Sequence, residues 1–270
     1  MELKHLPPPP SSAPLLGFLI AGFVLLALGL SALTVRRTEP VPLASAATTR
    51  RAAIWTLLYG LCAACFARVL QPALLGDDRS PWLLALGDVI AVTLALSVWV
   101  MVLAENRRFE EFGLGGDRDQ REEHETPDAI APLGLYLAAP VTWLISGHSR
   151  ITTDGLVFAC IYSTLGSAFP EELLLRGYLM GSLGTRVKTW VRIATPAIAF
   201  AALRGMRLLP GPEFPPGAWL LYVFGMVLPL GVWWGLVREL SGGSLWPGMI
   251  SHAILQFVLV LASTSIPTGP

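Results

Sequence analysis

Apolar residues in this chain come in long runs rather than in alternation. The first run, Leu15 to Val35, has about the 20 residues that an α-helix needs to cross a hydrocarbon core. Further runs near 52–75, 82–104, 129–147, 153–171, 192–209, 217–237 and 244–264 read as helical spans of similar reach. The pattern predicts an all-α fold, a polytopic transmembrane helical bundle of about eight spans. Arg68 falls inside the second run and is expected to snorkel or to face the bundle. Charges interrupt the stretch 153–209, so one helix there is expected to be broken or partly interfacial.

The polar stretches divide the chain. Residues 1–13 hold four consecutive prolines, Pro7 to Pro10, and read as a disordered, extended tail. Residues 14–104 then form a group of N-terminal transmembrane helices, and 105–127 a solvated hydrophilic loop. Residues 128–265 carry the remaining spans. The first run is longer than the roughly 7–15 residues of a secretory signal core, and Arg36-Arg37 follow it. It reads as an uncleaved anchor, although Ala44-Ser45-Ala46 has the small-residue pattern of a cleavage site. Loop charge sets an orientation. Arg36, Arg37, Arg50, Arg51, Arg107, Arg108, Arg118, Arg121, Arg186, Lys188 and Arg238 fall on one side of the bundle, against Arg79, Arg150 and Arg207 on the other. The excess of positive charge places the first side in the cytoplasm and both termini outside.

Composition agrees with a bilayer as the chain's main partner. Charged residues make up 14% against about 25% in soluble domains, and mean hydropathy is +0.59. The expected location is an integral, multi-pass membrane protein, in the plasma membrane if the source is bacterial. The formal net charge is zero, so nothing draws the chain to nucleic acid. The three cysteines, Cys62, Cys65 and Cys160, lie in apolar stretches and read as packing residues rather than a disulfide framework. His124 sits among acids in the hydrophilic loop, where a solvated charged face is the plainer reading than a metal site. No internal repeat is visible, which weakens a transporter reading.

Chemistry concentrates in Ser167-Ala168-Phe169-Pro170-Glu171-Glu172-Leu173-Leu174-Leu175-Arg176. Ionisable groups at membrane depth cost about 2.5–3.5 kcal/mol each on insertion scales, which asks for a function. Pro170 fits the first turn of a helix or a kink. Glu172 and Arg176 are four apart, acid first, and are expected to pair. Glu171 lies about 100° round the helix and is left to face a polar cavity, as a general base or a metal ligand. A purely structural ion cluster remains the alternative. His252 and Gln256, also four apart, share a helix face behind Ser244-Leu245-Trp246-Pro247. Ser244 is a candidate cap and Trp246 suits the interface. His252 is a candidate zinc ligand or proton carrier, or a packed hydrogen-bonding residue.

Glu171-Glu172-xxx-Arg176, followed by Ser244-Leu245-Trp246-Pro247 and the His252 helix, resembles the CPBP family over roughly residues 130–260. These are the type II CAAX prenyl proteases and bacteriocin-processing proteins, also called the Abi family. The resemblance implies a polytopic intramembrane endopeptidase, a hydrolase acting on a peptide or membrane-protein substrate, commonly described as a metalloprotease. It implies that Glu171 activates water or holds a metal such as Zn2+, with His252 as a second ligand or an oxyanion-side group. Glu172 and Arg176 would support Glu171.

Two positions depart from the family pattern. The family's Phe-xxx-His aligns with Phe200-Ala201-Ala202-Leu203-Arg204, a degenerate second motif, and its His-xxx-Asn with His252-xxx-Gln256. A guanidinium has no lone pair for a metal. It would repel a cation, pair with Glu171 or steady an oxyanion, unless Arg204 merely snorkels beside Arg207. His5, His124 and His148 are badly placed to substitute. The competing function is a catalytically inactive family member acting as a membrane peptide-binding protein or chaperone.

Overall fold

The computed structural model describes residues 43–75, 81–114, 133–145, 149–208, 214–264 and 266–267. The first expected span, the proline-rich tail, the loop residues 116–125, the side chain of Arg68, and His5, His124 and His148 lie outside the described residues.

The apolar runs fold as helices. Helix α1 spans Ala46–Leu75 and α2 spans Pro81–Ala104. A 3-10 turn, Phe109–Phe112, follows, and α3 spans Leu133–Ile145. The next rod, α4, runs without a break over residues 153–183, from Thr153–Ile161 to Gly181–Leu183. Helix α5 spans Thr189–Arg207, α6 spans Pro216–Leu240, and α7 spans Trp246–Thr264. The described residues contain a single strand pairing. It is antiparallel, matches Ser149 with Pro267 and Arg150 with Ile266, and ties the approach to α4 to the exit from α7.

The rod α4 differs from the expected span 153–171. That span ends at Glu171, whereas the helix continues to Leu183. Pro170 is not in a first turn. It lies in the short α-helical piece Phe169–Glu171, between two π-helical stretches, Tyr162–Ala168 and Glu172–Met180. A proline inside a helix lacks an N–H and clashes with the carbonyl four residues back. Widened i→i+5 turns on either side let the rod pass it. The charged stretch around Glu171 is therefore unbroken, and it lies in the buried part of the rod.

Packing is close around α4 and α5. A Cβ on Gly166 would lie 2.9 Å from the Ala91 Cβ on α2, and one on Gly231 would lie 3.0 Å from the Ala197 Cα, so α2–α4 and α5–α6 meet nearly backbone to backbone. The central core contains Phe66, Ile90, Met101, Leu173, Leu175, Tyr178, Phe200 and Trp234.

Among the described residues, three helices are long and apolar enough to cross a bilayer: Leu84–Ala104, Pro216–Leu240 and Trp246–Ser263. They correspond to three of the eight expected spans. Their outward faces are apolar too. Val89, Val92, Leu96, Trp99 and Leu103 recur on α2 at three- and four-residue steps, and all are exposed. Trp246, Ile250 and Ile254 do the same on α7. Such stripes are the surface of an integral membrane protein, for which lipid is the solvent.

The basic loops gather at one end. Thr49 Oγ1 donates to the Ser182 carbonyl at 3.1 Å, Arg186 Nη2 to Thr49 Oγ1 at 3.0 Å, and Arg107 Nη2 to Thr48 Oγ1 at 3.3 Å. Arg192 pairs with Glu239 at 2.5 Å there.

Candidate functional site

The site is built on α4, α5 and α7. Glu172 and Arg176 pair as their spacing predicts, with Arg176 Nη1 donating to Glu172 Oε1 at 3.1 Å. Arg176 also donates from Nη2 to the Gly231 carbonyl on α6 at 3.2 Å, and its Cζ lies 4.8 Å from the Phe200 ring centroid. Glu172 Oε1 lies 2.9 Å from His252 Nδ1. An ionised carboxylate only accepts, so Nδ1 carries the proton and the neutral ring presents its lone pair at Nε2. That tautomer is inferred from the hydrogen-bond network. Trp234 stacks on the His252 ring with centroids 4.0 Å apart, and Phe200 meets the same ring edge-on at 5.7 Å.

Glu171 is 1% exposed and is not free to face a cavity, which corrects the expectation from the helical wheel. Arg204 donates to its Oε2 from Nη2 at 2.9 Å and from Nε at 3.2 Å. Arg207 Nη1 donates to Oε1 at 2.6 Å. Arg204 therefore does not snorkel: of its possible fates, pairing with Glu171 is the one observed. A carboxylate this deep needs a counter-charge, and α5 supplies two on one face, three residues apart. Arg204 also reaches Ser167 Oγ at 2.5 Å, Gln256 Oε1 at 3.3 Å and His252 Nε2 at 3.2 Å. Glu171, Glu172, Arg176, Arg204, His252 and Gln256 thus meet in one cluster.

Sequence reasoning missed Arg207 as a partner of Glu171, and it missed Ser167 and Trp234. Two of these had a signal. Ser167 is four before Glu171 and Arg207 three after Arg204, so each shares a face with a residue already singled out. Trp234 had none, because an indole in an apolar run looks like ordinary core.

A cavity of about 390 Å3 opens beside the cluster. Its lining includes Phe200, Arg204, Arg207, Trp234, His252 and Gln256, but not Glu171. The guanidiniums stand between the carboxylate and the cavity.

The residues do not fit zinc as placed. Zinc needs three or four lone-pair donors. Both Glu171 oxygens and His252 Nδ1 are engaged, and the His252 Nε2 lone pair faces a guanidinium N–H. Among the described residues no group of three His, Cys, Asp or Glu side chains converges on a point where an ion would sit.

Residues 153–258, which contain every member of the cluster, match the family model described as type II CAAX prenyl endopeptidase Rce1-like. No curated protein and no solved structure matches the chain. The Glu-Glu-xxx-Arg motif, the Phe200–Arg204 turn and the His252 helix, all within the matched range, converge in space. Over residues 153–258, rather less than half of its length, the chain is similar to the Rce1-like type II CAAX prenyl endopeptidases.

Proposed function

We propose that this chain uses its endopeptidase-family domain to bind an apolar, membrane-embedded peptide segment and to hold it uncut. One observation carries the reading: Arg204 and Arg207, rather than the Glu171 carboxylate, form the cavity wall. Peptide hydrolysis needs a base within hydrogen-bond reach of a water beside the scissile carbonyl. A guanidinium stays protonated and offers no lone pair. His252 Nε2 already faces Arg204 Nη2. Zinc takes no part in this reading. The protein is placed in the bilayer as a multi-pass bundle, with a peptide or a membrane-protein segment as its partner.

A second reading, hydrolysis, is favoured by the Arg176–Glu172–His252 chain, which stands fully assembled at 3.1 and 2.9 Å. It requires the guanidiniums to leave Glu171 first. Glu171 then takes a proton from water, the water oxygen bonds to the carbonyl carbon, and Arg204 or Gln256 N–H groups hold the oxyanion. The C–N bond breaks as Glu171 returns the proton to the leaving nitrogen.

The test uses the full chain in lipid nanodiscs with labelled apolar peptides of about 20 residues, the length of one membrane crossing. Saturable binding with intact peptide recovered by mass spectrometry is expected. Turnover that Glu171→Gln abolishes would overturn the binding reading in favour of the protease.

A further inference from the structure

We infer that the cavity selects a ligand whose apolar body ends in a carboxylate; this rests on the reading of the chain as a binder and names what it binds.

The first argument is charge. The buried cluster holds two carboxylates, Glu171 and Glu172, against three guanidiniums, Arg176, Arg204 and Arg207, with His252 neutral. One positive charge is left over. It is not held at Arg176, which is fully buried and shares Glu172. It is held by Arg204 and Arg207, which divide Glu171 between them and line the cavity.

The second argument is an unmet hydrogen-bonding demand. Arg207 is 7% exposed, and its Nε and Nη2 have no acceptor. Tyr59 lies beside the same guanidinium, its ring 5.6 Å from the Arg207 Cζ and its hydroxyl buried. Buried donors are nearly always paired, and an orphaned charged donor is the costliest kind. A ligand carboxylate in the cavity supplies the missing negative charge beside Arg204 and Arg207, and it suits the planar fork of a guanidinium.

The third argument is the rest of the wall. Phe200, Met226, Leu230, Trp234, Leu255 and Leu259 surround the charged corner, and no aspartate or glutamate lines the cavity. A cation is repelled, a neutral apolar ligand leaves the charge unanswered, and a small hydrophilic anion gains nothing from these walls. A carboxylate on an apolar chain satisfies both parts. It has two sources in a membrane: the free C-terminus of an apolar peptide, or a fatty acid.

The experiment uses the full chain in nanodiscs. Binding is measured for one apolar peptide as the free acid and as its C-terminal amide, and for palmitate against hexadecanol as competitors. The free acid is expected to bind about tenfold tighter than the amide or more, as charge-assisted hydrogen bonds imply. Palmitate is expected to compete and hexadecanol not. Arg207→Gln should erase the difference between acid and amide. Equal binding of acid and amide by the wild type, or a difference that survives Arg207→Gln, overturns the inference. Palmitate binding without peptide binding would uphold the carboxylate and assign it to a lipid, while sinking the peptide reading above. Binding of neither acid sinks both. If Arg207→Gln does not fold, the wild-type comparison of acid with amide decides alone.

Discussion

Glu171 holds the fold together more than its exposure suggests. Its two oxygens neutralise guanidiniums on a different helix, with Arg204 at 2.9 Å and Arg207 at 2.6 Å. Removing one partner of a buried ion pair leaves an unanswered charge, which costs about 3–5 kcal/mol. Glu171→Gln should therefore lower stability by that order, read as a shift in denaturant unfolding in micelles. Glu111→Gln is the control, because Glu111 is 40% exposed and pairs with Arg107 at the bundle end. Its loss should cost no more than about 1 kcal/mol. Adding Arg207→Met to Glu171→Gln should recover part of the loss, since the two residues share one interaction. Equal effects of Glu171→Gln and Glu111→Gln would refute the counter-ion role.

At the scale of elements, the site depends on how closely α5 and α6 approach. Gly231 allows this: a Cβ there would meet the Ala197 Cα at 3.0 Å and its carbonyl oxygen at 3.2 Å, both backbone atoms that cannot swing away. The Gly231 carbonyl also accepts from Arg176. Gly231→Val is expected to cost about 1–3 kcal/mol by overpacking and to weaken ligand binding through Arg176. Gly217→Ala, where nothing lies within 4 Å, should change neither. Unaltered unfolding in Gly231→Val would mean the helices are further apart than the structure places them. Much at this scale was legible beforehand. Apolar runs located helices α1 to α7, and i,i+4 spacing found the Glu172–Arg176 pair and the shared face of His252 and Gln256. The course of α4 was not legible. Apolar residues surround Glu171 on every side of the helix, so no periodic stripe records the shift in phase that widened turns introduce. The fate of Arg204 was not legible either. A cation near a span end can snorkel or turn inward, and the choice depends on a carboxylate 33 residues away in sequence.

For the whole molecule, the alternation of helix directions makes orientation testable. Helix α1 begins at the basic end and α2 finishes there. Rod α4 ends there at Leu183, just before Arg186, α5 starts there at Thr189, and α6 returns there with Arg238 and Glu239. Arg50, Arg51, Arg107, Arg108, Arg186, Lys188, Arg192 and Arg238 all stand near that end, which the positive-inside rule assigns to the cytoplasm. Gly217 opens α6 at the far end, 23 residues before Leu240 and so about 35 Å away along the axis. In a chain with Cys62, Cys65 and Cys160 replaced by serine, Lys188→Cys should react with an impermeant maleimide only after the cells are permeabilised. Gly217→Cys should react in intact cells. The opposite pattern would invert the bundle, and labelling of both from one side would show that α6 does not cross. Orientation also bears on how the cavity is reached. Arg204 and Arg207 lie 15 and 18 residues beyond Thr189, about 22–27 Å from the basic end. With the basic end in the cytoplasm, that distance sets the positive corner toward the non-cytoplasmic end of the bundle, and the labelling experiment tests this together with the orientation.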